Sequence, residues 1–164
     1  MASKLFIKRL RNEIKMYTKE NFTFPNLILR PSSDISIWYF IIYDLKETPF
    51  DKGVYIGQIT ISDKYPMTPP DFKIITPNGR LQPGIVICTT FSKYHKESYT
   101  SVWNILTMTQ GMISFMTEKG SGIGSIHTSD SEKIELAKKS LNWNLQNEIF
   151  KNVFPDYKEI LSLS

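Results

Sequence analysis

Residues 35–61 read ISIWYFIIYDLKETPFDKGVYIGQITI, and this stretch decides the fold. β-Branched and aromatic residues fill both faces of residues 35–43, which is typical of a buried strand. Asp51-Lys52-Gly53 is a turn signal, so residues 54–61 should return as an antiparallel strand. The residues expected on one face of that second strand are Tyr55, Gly57, Ile59 and Ile61.

Two further segments extend this hairpin into a sheet. Leu27-Ile28-Leu29 begins a strand before it, and Phe72 to Ile75 follows as the fourth after a Pro-rich connection at residues 65–70. We expect a meander of four antiparallel strands with an N-terminal helix packed on it, which is an α+β fold.

The N-terminal helix is predicted over residues 3–19, with Ser3 as its cap. Its apolar residues recur at helical spacing, at Phe6, Leu10, Ile14 and Tyr17. Its cationic residues, expected on the opposite side, are Lys4, Lys8, Arg9, Arg11 and Lys15. A charged helix face is usually only solvated, so this pattern alone does not identify a binding site.

Two to three helices should follow the sheet. One is predicted from Val102 to about Glu118, capped by Thr100 or Ser101. Its apolar stripe is supplied by Trp103, Leu106, Ile113 and Met116.

The next helix has the clearest sequence signature in the chain. Ser129 and Glu132 match a capping box. The apolar residues that follow at three- to four-residue spacing are Ile134, Ala137, Leu141, Leu145 and Ile149. Pro155 is expected in the first turn of a short terminal helix that reaches Leu163.

The composition is that of an ordinary globular chain. Its 164 residues, 41% hydrophobic and 22% charged, suit a single domain spanning 1–164. A net charge of +4 favours acidic partners but is modest for a nucleic-acid-binding protein. One Cys excludes an internal disulfide, and with only two His a closed zinc site is not expected.

The candidate chemistry lies in residues 76–103, TPNGRLQPGIVICTTFSKYHKESYTSVW. This segment holds Cys88, the single cysteine, after the apolar run at residues 85–87. A lone Cys is more often a buried apolar residue than a nucleophile. Against that, Asn78 offers an amide donor for an oxyanion, and the many turn formers are unlike a core strand. The residues alone leave both interpretations open.

Several spaced motifs resemble those of ubiquitin-conjugating enzymes. Thr76-Pro77-Asn78, Cys88 and the segment Tyr99 to Trp103 stand in the order of that family's His-Pro-Asn triplet, nucleophilic Cys and Trp-containing loop. Residues 65–70, YPMTPP, are similar to its Tyr-Pro-x-x-Pro-Pro element, and residues 48–53 to its Thr-Pro-Tyr-x-x-Gly turn. The resemblance covers nearly the whole chain and implies that family's fold, with an active-site loop between the sheet and the C-terminal helices.

Two departures point to one branch of the family. Thr76 replaces the usual His, and Asn78 lies ten positions before Cys88, a longer spacing than usual. The other similar elements are His95, Glu118-Lys119-Gly120 and Thr128-Ser129-Asp130. Together they resemble the tail-anchored branch that acts in endoplasmic-reticulum-associated degradation.

That branch is held in the membrane by a C-terminal helix. No apolar run here reaches the roughly 18–20 residues that span a bilayer, and residues 2–17 do not form a secretory signal. We expect either the soluble part of a longer protein or a member without an anchor. The expected location is cytoplasmic, or the cytosolic face of the endoplasmic reticulum if the full-length protein carries an anchor.

The resemblance implies an enzyme that needs no metal and no bound cofactor. Cys88 would accept ubiquitin as a thioester from the activating enzyme and pass it, with a ligase, to a lysine or a Ser/Thr hydroxyl of a protein substrate. Asn78 would stabilise the oxyanion or, equally, brace its loop. His95 would accept the acceptor's proton, with a functionless exposed His as the alternative.

The same resemblance implies two partner surfaces. The basic face of the first helix, including Lys4 and Lys8, would dock the activating enzyme and ligases. Met67, Ser101 and Val102 would form the ligase-binding patch beside it. Ser101 stands where many relatives have Pro, which leaves the choice of ligase open.

Other interpretations compete with this one. An inert ubiquitin-binding or scaffold module is disfavoured by the presence of Cys88. A nucleic-acid-binding domain is disfavoured because the densest group of Lys and Arg residues lies on the first helix, without an aromatic-basic signature. The Gly-rich segment 120–124 lacks the preceding strand and phosphate-binding Lys of a nucleotide loop, so it is predicted to be a flexible connection.

Overall fold

A computed structural model describes residues 3–18, 24–87 and 97–162. Its elements, in chain order, are α1 Lys4–Tyr17, β1 Leu27–Pro31, β2 Ile37–Tyr43, β3 Val54–Thr60, β4 Asp71–Ile74, α2 Ile105–Thr117, α3 Asp130–Asn144, α4 Glu148–Val153 and α5 Tyr157–Ser162. The predicted α+β class is confirmed, with one helix before a four-stranded sheet and further helices after it.

The sheet has the predicted meander topology. Its strand order is β1-β2-β3-β4, and each neighbouring pair is antiparallel. The strand boundaries differ from the predicted ones by at most two residues at each end. The β-branched and aromatic runs and the turn at residues 51–53 were therefore sufficient to place these strands.

Both faces of the two central strands are buried, each under different helices. On one face, Trp38 and Tyr55 belong to a core with Phe6 and Leu10 of α1 and with Met108 of α2. The core on the other face is formed by the sheet together with α4, α5 and the residue that ends α4, and its buried residues are Ile41, Tyr43, Val54, Ile56, Phe150, Phe154 and Ile160. This double coverage explains why apolar residues fill both faces of β2 and the first half of β3.

A glycine on β3 allows close packing at the centre of the first core. Gly57 is paired with Phe40 across β2 and β3. A Cβ atom at position 57 would lie 2.1 Å from Cζ of Phe40, far inside van der Waals contact. The Phe40 ring is fully buried and also packs against Phe72, so it has no room to move away.

The cap and apolar stripe of α1 are as predicted. Ser3 Oγ accepts a hydrogen bond from Phe6 N at 3.1 Å. Phe6 and Leu10 are buried, while Ile14 and Tyr17 are partly buried against the same core. The helix ends at Tyr17, with Thr18 N donating to the carbonyl of Ile14.

The predicted start of α2 was wrong. The helix begins at Ile105, and its cap is Asn104, whose Oδ1 accepts from Thr107 N at 2.8 Å. Thr100 and Ser101 lie in the turn before it. The residues of α2 that are buried are Ile105, Met108, Thr109, Met112 and Met116. The predicted stripe residues Trp103, Leu106 and Ile113 are only partly buried at its edges.

The capping box of α3 is confirmed on its Ser side, but the helix is shorter than predicted. Ser129 Oγ accepts from Glu132 N at 3.1 Å. Ile134 is 42% exposed, so it does not belong to the buried stripe. The helix ends at Asn144, and Asn147 caps a separate helix, α4, through Phe150 N.

The terminal helix α5 also begins later than predicted. Pro155 lies in the turn before Tyr157, and Leu163 lies outside the described residues. Because the predicted long helix splits into α3 and α4, four helices rather than two or three follow the sheet in the described part of the chain.

Buried polar side chains join α3 to the sheet and to the segment after β4. Asn144 Nδ2 donates to the carbonyl of Val54 at 2.7 Å, and Ser140 Oγ accepts from Val54 N at 2.9 Å. Thr76 Oγ1 donates to Asn144 Oδ1 at 2.7 Å and accepts from Ile56 N at 2.9 Å. Thr76 therefore satisfies one backbone N–H of β3 and one helix side chain at once.

We predict that Thr76→Val destabilises the fold by about 1–3 kcal/mol, because the buried N–H of Ile56 loses its acceptor. Thr76→Ser, which keeps the hydroxyl, should lose less. Thr60→Val on the exposed end of β3 is the control and should change the free energy of unfolding by less than about 0.5 kcal/mol. Chemical denaturation measures all three. Equal losses for Thr76→Val and Thr76→Ser would contradict the hydrogen-bond role.

A second prediction concerns the contact between Gly57 and Phe40. Gly57→Ala should destabilise the fold by about 1–3 kcal/mol, because the new methyl group overlaps a buried ring that cannot move. In a double-mutant cycle, Phe40→Leu should absorb part of that cost, so the double variant is more stable than the sum of the two losses predicts. Strict additivity in thermal or chemical denaturation would show that the two sites are not in contact.

Candidate active site

The loop after β4 is organised by the buried side chain of Asn78. Its Oδ1 accepts from the backbone N–H groups of Arg80 and Leu81, each at 2.8 Å. Its Nδ2 donates to the carbonyls of Thr76 and Leu81, each at 3.0 Å. Both hydrogens of the Asn78 side-chain amide are thus bonded to backbone carbonyls of the loop. A role in bracing the loop requires contacts of this kind.

A second anchor for this loop is the side chain of Arg80. Its Nε donates to the carbonyl of Glu118 at 2.8 Å, and its Nη1 donates to Ser125 Oγ at 2.9 Å. The guanidinium also lies 4.7 Å from the ring centre of Phe115. Burial lowers the pKa of Arg80, and the negative charge of Glu118 opposes this effect. The loop is therefore fastened to the end of α2.

The segment between α2 and α3 completes the support of the loop. Gly79 has φ of +82°, and its carbonyl accepts from Thr128 Oγ1 at 2.6 Å. Gln82 N donates to the carbonyl of Gly124 at 2.7 Å, and Leu81 forms a β-bridge with Ser125. Gly124, the last residue of the Gly-rich segment 120–124, is thus hydrogen-bonded to the loop.

The approach to the candidate nucleophile is anchored up to Ile87. Gly84 N donates to the carbonyl of Ile74 at 2.8 Å, and Ile87 N donates to the carbonyl of Phe72 at 2.9 Å. Ile87 is buried in the first core. Cys88 and His95 lie outside the described residues, which resume at Glu97.

The segment that follows the candidate nucleophile is joined to the Pro-rich loop. Tyr99 OH donates to the carbonyl of Pro66 at 2.8 Å, and the Tyr99 ring packs edge-on against Trp103 at 6.2 Å between ring centres. Burial raises the pKa of Tyr99 to about 12, so its hydroxyl stays protonated at neutral pH and acts as a donor.

A buried carboxylate on α1, which the sequence analysis did not identify, organises this side of the molecule. Glu13 is 4% exposed. Its Oε1 accepts from Arg9 Nε at 2.6 Å and from Tyr65 OH. Its Oε2 accepts from Ile105 N at 2.8 Å and from Tyr17 OH at 3.3 Å. The carboxylate thus connects α1 to the Pro-rich loop and to the first turn of α2.

Arg9 extends this network to the segment around Val102. Its Nη1 donates to the carbonyl of Ser101 at 3.1 Å and its Nη2 to that of Trp103 at 2.8 Å. Its guanidinium lies 5.4 Å from the ring centre of Tyr65. The prediction that Arg9 belongs to the exposed basic face was therefore wrong, since its charge pairs with Glu13 inside the fold.

The two tyrosines of the network have strongly perturbed hydroxyl groups. Burial, and then the charge of Glu13, raise the pKa of Tyr65 far above its usual range. The same causes raise the pKa of Tyr17, whose hydroxyl also accepts from Leu106 N at 2.9 Å. Both phenols therefore remain neutral hydrogen-bond donors to the carboxylate.

The residues predicted to bind partners lie on the surface around this network. Met67 is 71% exposed and Val102 is 82% exposed. They lie on two loops that are linked by the hydrogen bond from Tyr99 OH to the carbonyl of Pro66. Ser101 is partly buried beside Val102. Lys4 and Lys8 are exposed on α1 and line a shallow groove with Ile7, Arg11, Asn12 and Lys15.

One sequence signal could have revealed Glu13. It follows Leu10 by three residues and precedes Tyr17 by four, which places a carboxylate on the apolar face of the helix. No comparable signal marks Arg80, because its partners are backbone carbonyls at sequence separations of 35 and 38 residues.

Neither a metal site nor a membrane-spanning helix is found within residues 3–18, 24–87 and 97–162. No cluster of three His, Cys, Asp or Glu side chains there has the arrangement of a metal site. Nor does any helix among these residues have the length and apolar character needed to cross a membrane.

Comparison with known proteins identifies the family. A model of the family described as "Ubiquitin-conjugating enzyme" matches residues 9–133. The Arabidopsis thaliana protein named "Probable ubiquitin-conjugating enzyme E2 33" is 38% identical over 160 residues, which are 97% of this chain and 65% of that protein.

Two other relatives have similar levels of identity. "Ubiquitin-conjugating enzyme E2 6" from Kluyveromyces lactis is 39% identical over 161 residues, 97% of this chain and 63% of its own length. "Ubiquitin-conjugating enzyme E2 J2-like" from Dictyostelium discoideum is 35% identical over 150 residues, 91% of this chain and 87% of that protein. The chain spans less than two thirds of the first two relatives. From the family match, these identities and the sheet-and-helix architecture, the chain belongs to the ubiquitin-conjugating enzyme family.

Proposed function

We propose that this chain accepts ubiquitin as a thioester on Cys88 and transfers it to a substrate with the help of a ligase. The observation that carries the proposal is the family match over residues 9–133, which contains Cys88 and the Asn78 loop. It is supported by the anchoring of the described chain on both sides of the nucleophile, at Ile87 and at Tyr99.

The chemistry consists of two acyl transfers. The Cys88 thiolate attacks the carbonyl carbon of the thioester between ubiquitin and the activating enzyme, whose cysteine thiolate leaves. A substrate amine then attacks the new thioester, loses a proton and displaces the Cys88 thiolate. A thiolate, whose thiol has a pKa of about 8.5, leaves more readily than an amide nitrogen or an alkoxide. The protein needs only to position the acceptor, promote its deprotonation and stabilise the oxyanion.

Asn78 and His95 have different proposed roles. The four hydrogen bonds of Asn78 support its role as the brace of the loop, and a role at the oxyanion requires one of its amide hydrogens to leave a backbone carbonyl. For His95 we propose the role of base, because an ordinary imidazole, with a pKa of about 6.5, accepts a proton near neutral pH. A hydroxyl acceptor needs such a base more than a lysine does.

Two surfaces are proposed for the partners. Lys4 and Lys8 on α1 are exposed and suit an acidic face of the activating enzyme or a ligase. Met67 and Val102 expose apolar surface on adjacent loops, which together with Ser101 suits a ligase. For the whole protein, we propose a place in degradation at the cytosolic face of the endoplasmic reticulum, supported by Thr76 and the long spacing between Asn78 and Cys88.

The carrier function predicts a reductant-sensitive adduct. The protein incubated with ubiquitin, activating enzyme and ATP should gain one ubiquitin that thiol reductant removes on a gel. Cys88→Ala should form no adduct, and Cys88→Ser should form an ester that reductant leaves intact, because oxygen replaces sulfur at the same position. Absence of any adduct on the unsubstituted protein, with ubiquitin and with other modifiers and their own activating enzymes, would exclude the carrier function.

The bracing role of Asn78 predicts an asymmetry between two Asn→Asp substitutions. Asn78→Asp should destabilise the fold by about 2 kcal/mol or more, because its second carboxylate oxygen would face the carbonyls of Thr76 and Leu81. Asn147→Asp at the cap of α4 should change stability little, because Asp and Asn cap equally well.

The same variants separate bracing from oxyanion stabilisation. If Asn78 acts as a brace, Asn78→Asp slows both thioester formation and ubiquitin discharge, in parallel with lower stability in chemical denaturation. Slower discharge with normal stability and normal thioester formation would instead place Asn78 at the oxyanion.

A further inference from the structure

The exposed apolar surface around Met67 and Val102 is assembled from segments far apart in the chain. Met67 lies on the Pro-rich loop after β3, and Val102 lies in the turn before α2. The hydrogen bond from Tyr99 OH to Pro66 O is one direct link between these two loops. Neither loop is a regular element, so their relative position depends on the side chains that hold them.

The ion pair between the buried Glu13 and the partly buried Arg9 bonds to both loops. Glu13 accepts from the hydroxyl of Tyr65, two residues before Met67. Arg9 donates to the carbonyls of Ser101 and Trp103, the residues on either side of Val102. Met67 is thus held through the side chain of Tyr65, two residues before it, and Val102 through the backbone carbonyls of its two neighbours.

The geometry of the pair suits positioning. The guanidinium presents its donors as a rigid planar fork, so Nε bonds to Glu13 at 2.6 Å while Nη1 and Nη2 reach two different carbonyls. Glu13 Oε2 also accepts from Ile105 N at the start of α2. Movement of either residue would therefore displace the turn at residues 100–104 relative to the Pro-rich loop.

We propose that Arg9 and Glu13 are positioning residues for ligase docking, which set the distance and orientation between Met67 and Val102 without contacting the ligase themselves. This inference rests on the proposed function. It assigns to Arg9 a role different from that of the exposed cations Lys4 and Lys8, although all three lie on α1. It also separates docking from the chemistry, because neither residue contacts the described part of the Asn78 loop.

The test measures how ubiquitin discharge depends on the concentration of a ligase. The probe is a purified ubiquitin-ligase domain, chosen because it accelerates discharge by the unsubstituted protein. Glu13→Gln removes the charge with little change in size, and Arg9→Lys keeps the charge but cannot reach both carbonyls. Both should raise the ligase concentration at half-maximal discharge by about tenfold, because misplacing a binding group by about 1 Å is costly.

Other readouts should remain unchanged in the same preparations. The rate of ubiquitin loading on Cys88, the ligase-free discharge to free lysine, and the maximal ligase-stimulated rate should stay within about twofold of the unsubstituted protein. Thermal melting is recorded for each variant. If Glu13→Gln does not fold, Arg9→Lys decides the question, since it retains a cation beside the carboxylate.

Asp156→Asn provides a control matched for the loss of an ion pair. Asp156, just before α5, pairs with Arg30 at 2.8 Å, and both side chains are about a third exposed. The Arg30 guanidinium lies 5.0 Å from the ring centre of Phe154, a residue of the opposite core. The substitution of Asp156 should lower stability without changing the ligase concentration at half-maximal discharge.

Three results would overturn the proposal. An unchanged half-maximal ligase concentration in the folded variants would show that the pair does not position the docking surface. A parallel fall of loading, free discharge and ligase-dependent discharge would show a purely structural role. If the unsubstituted protein forms no ubiquitin thioester, the proposed function fails, and this inference falls with it.

Discussion

The structure depends on the burial of one carboxylate. Glu13 lies on the apolar face of α1, and removing such a charge from water costs several kcal/mol unless it is paired and fully hydrogen-bonded. Its donors come from three places: Arg9 and Tyr17 on its own helix, Tyr65 on the Pro-rich loop, and Ile105 at the start of α2. One arrangement of these elements satisfies all four bonds together, so the carboxylate fixes the Pro-rich loop and the start of α2 relative to α1.

This network also explains the error in predicting the start of α2. A helix begins with N–H groups that need acceptors, and local side chains normally supply them. Here Asn104 accepts from Thr107 N, but Ile105 N and Leu106 N donate to Glu13 and Tyr17, about 90 residues earlier in the chain. Thr100 and Ser101 are residue types that cap helices well. The distant acceptors Glu13 and Tyr17 favour a helix that begins after Asn104 instead.

The parts of the fold that were predicted correctly are those whose cause is local. The alternation at residues 54–61 and the turn at residues 51–53 define the central strands without reference to the rest of the chain. The cap of α3 by Ser129 is local too. The break between α3 and α4 was missed because Leu145 continues the apolar spacing of the predicted helix. The helix ends at Asn144, whose side chain bonds to Val54 and Thr76. Asn78 was named as a candidate from its motif, but its four hydrogen bonds to backbone depend on the path of the loop.

The same distinction applies to function. Thioester exchange asks little of the protein beyond a well-placed nucleophile, because the acyl group arrives activated. The described chain is anchored on both sides of Cys88, the proposed nucleophile, by backbone hydrogen bonding at Ile87 and by the hydroxyl of Tyr99. The proposed chemistry can therefore be predicted from a few motif residues in the sequence. Under the proposed function, the choice of partner depends instead on how Met67 and Val102 are held relative to each other. The side chains of Arg9 and Glu13 bond to the loops that carry these two residues.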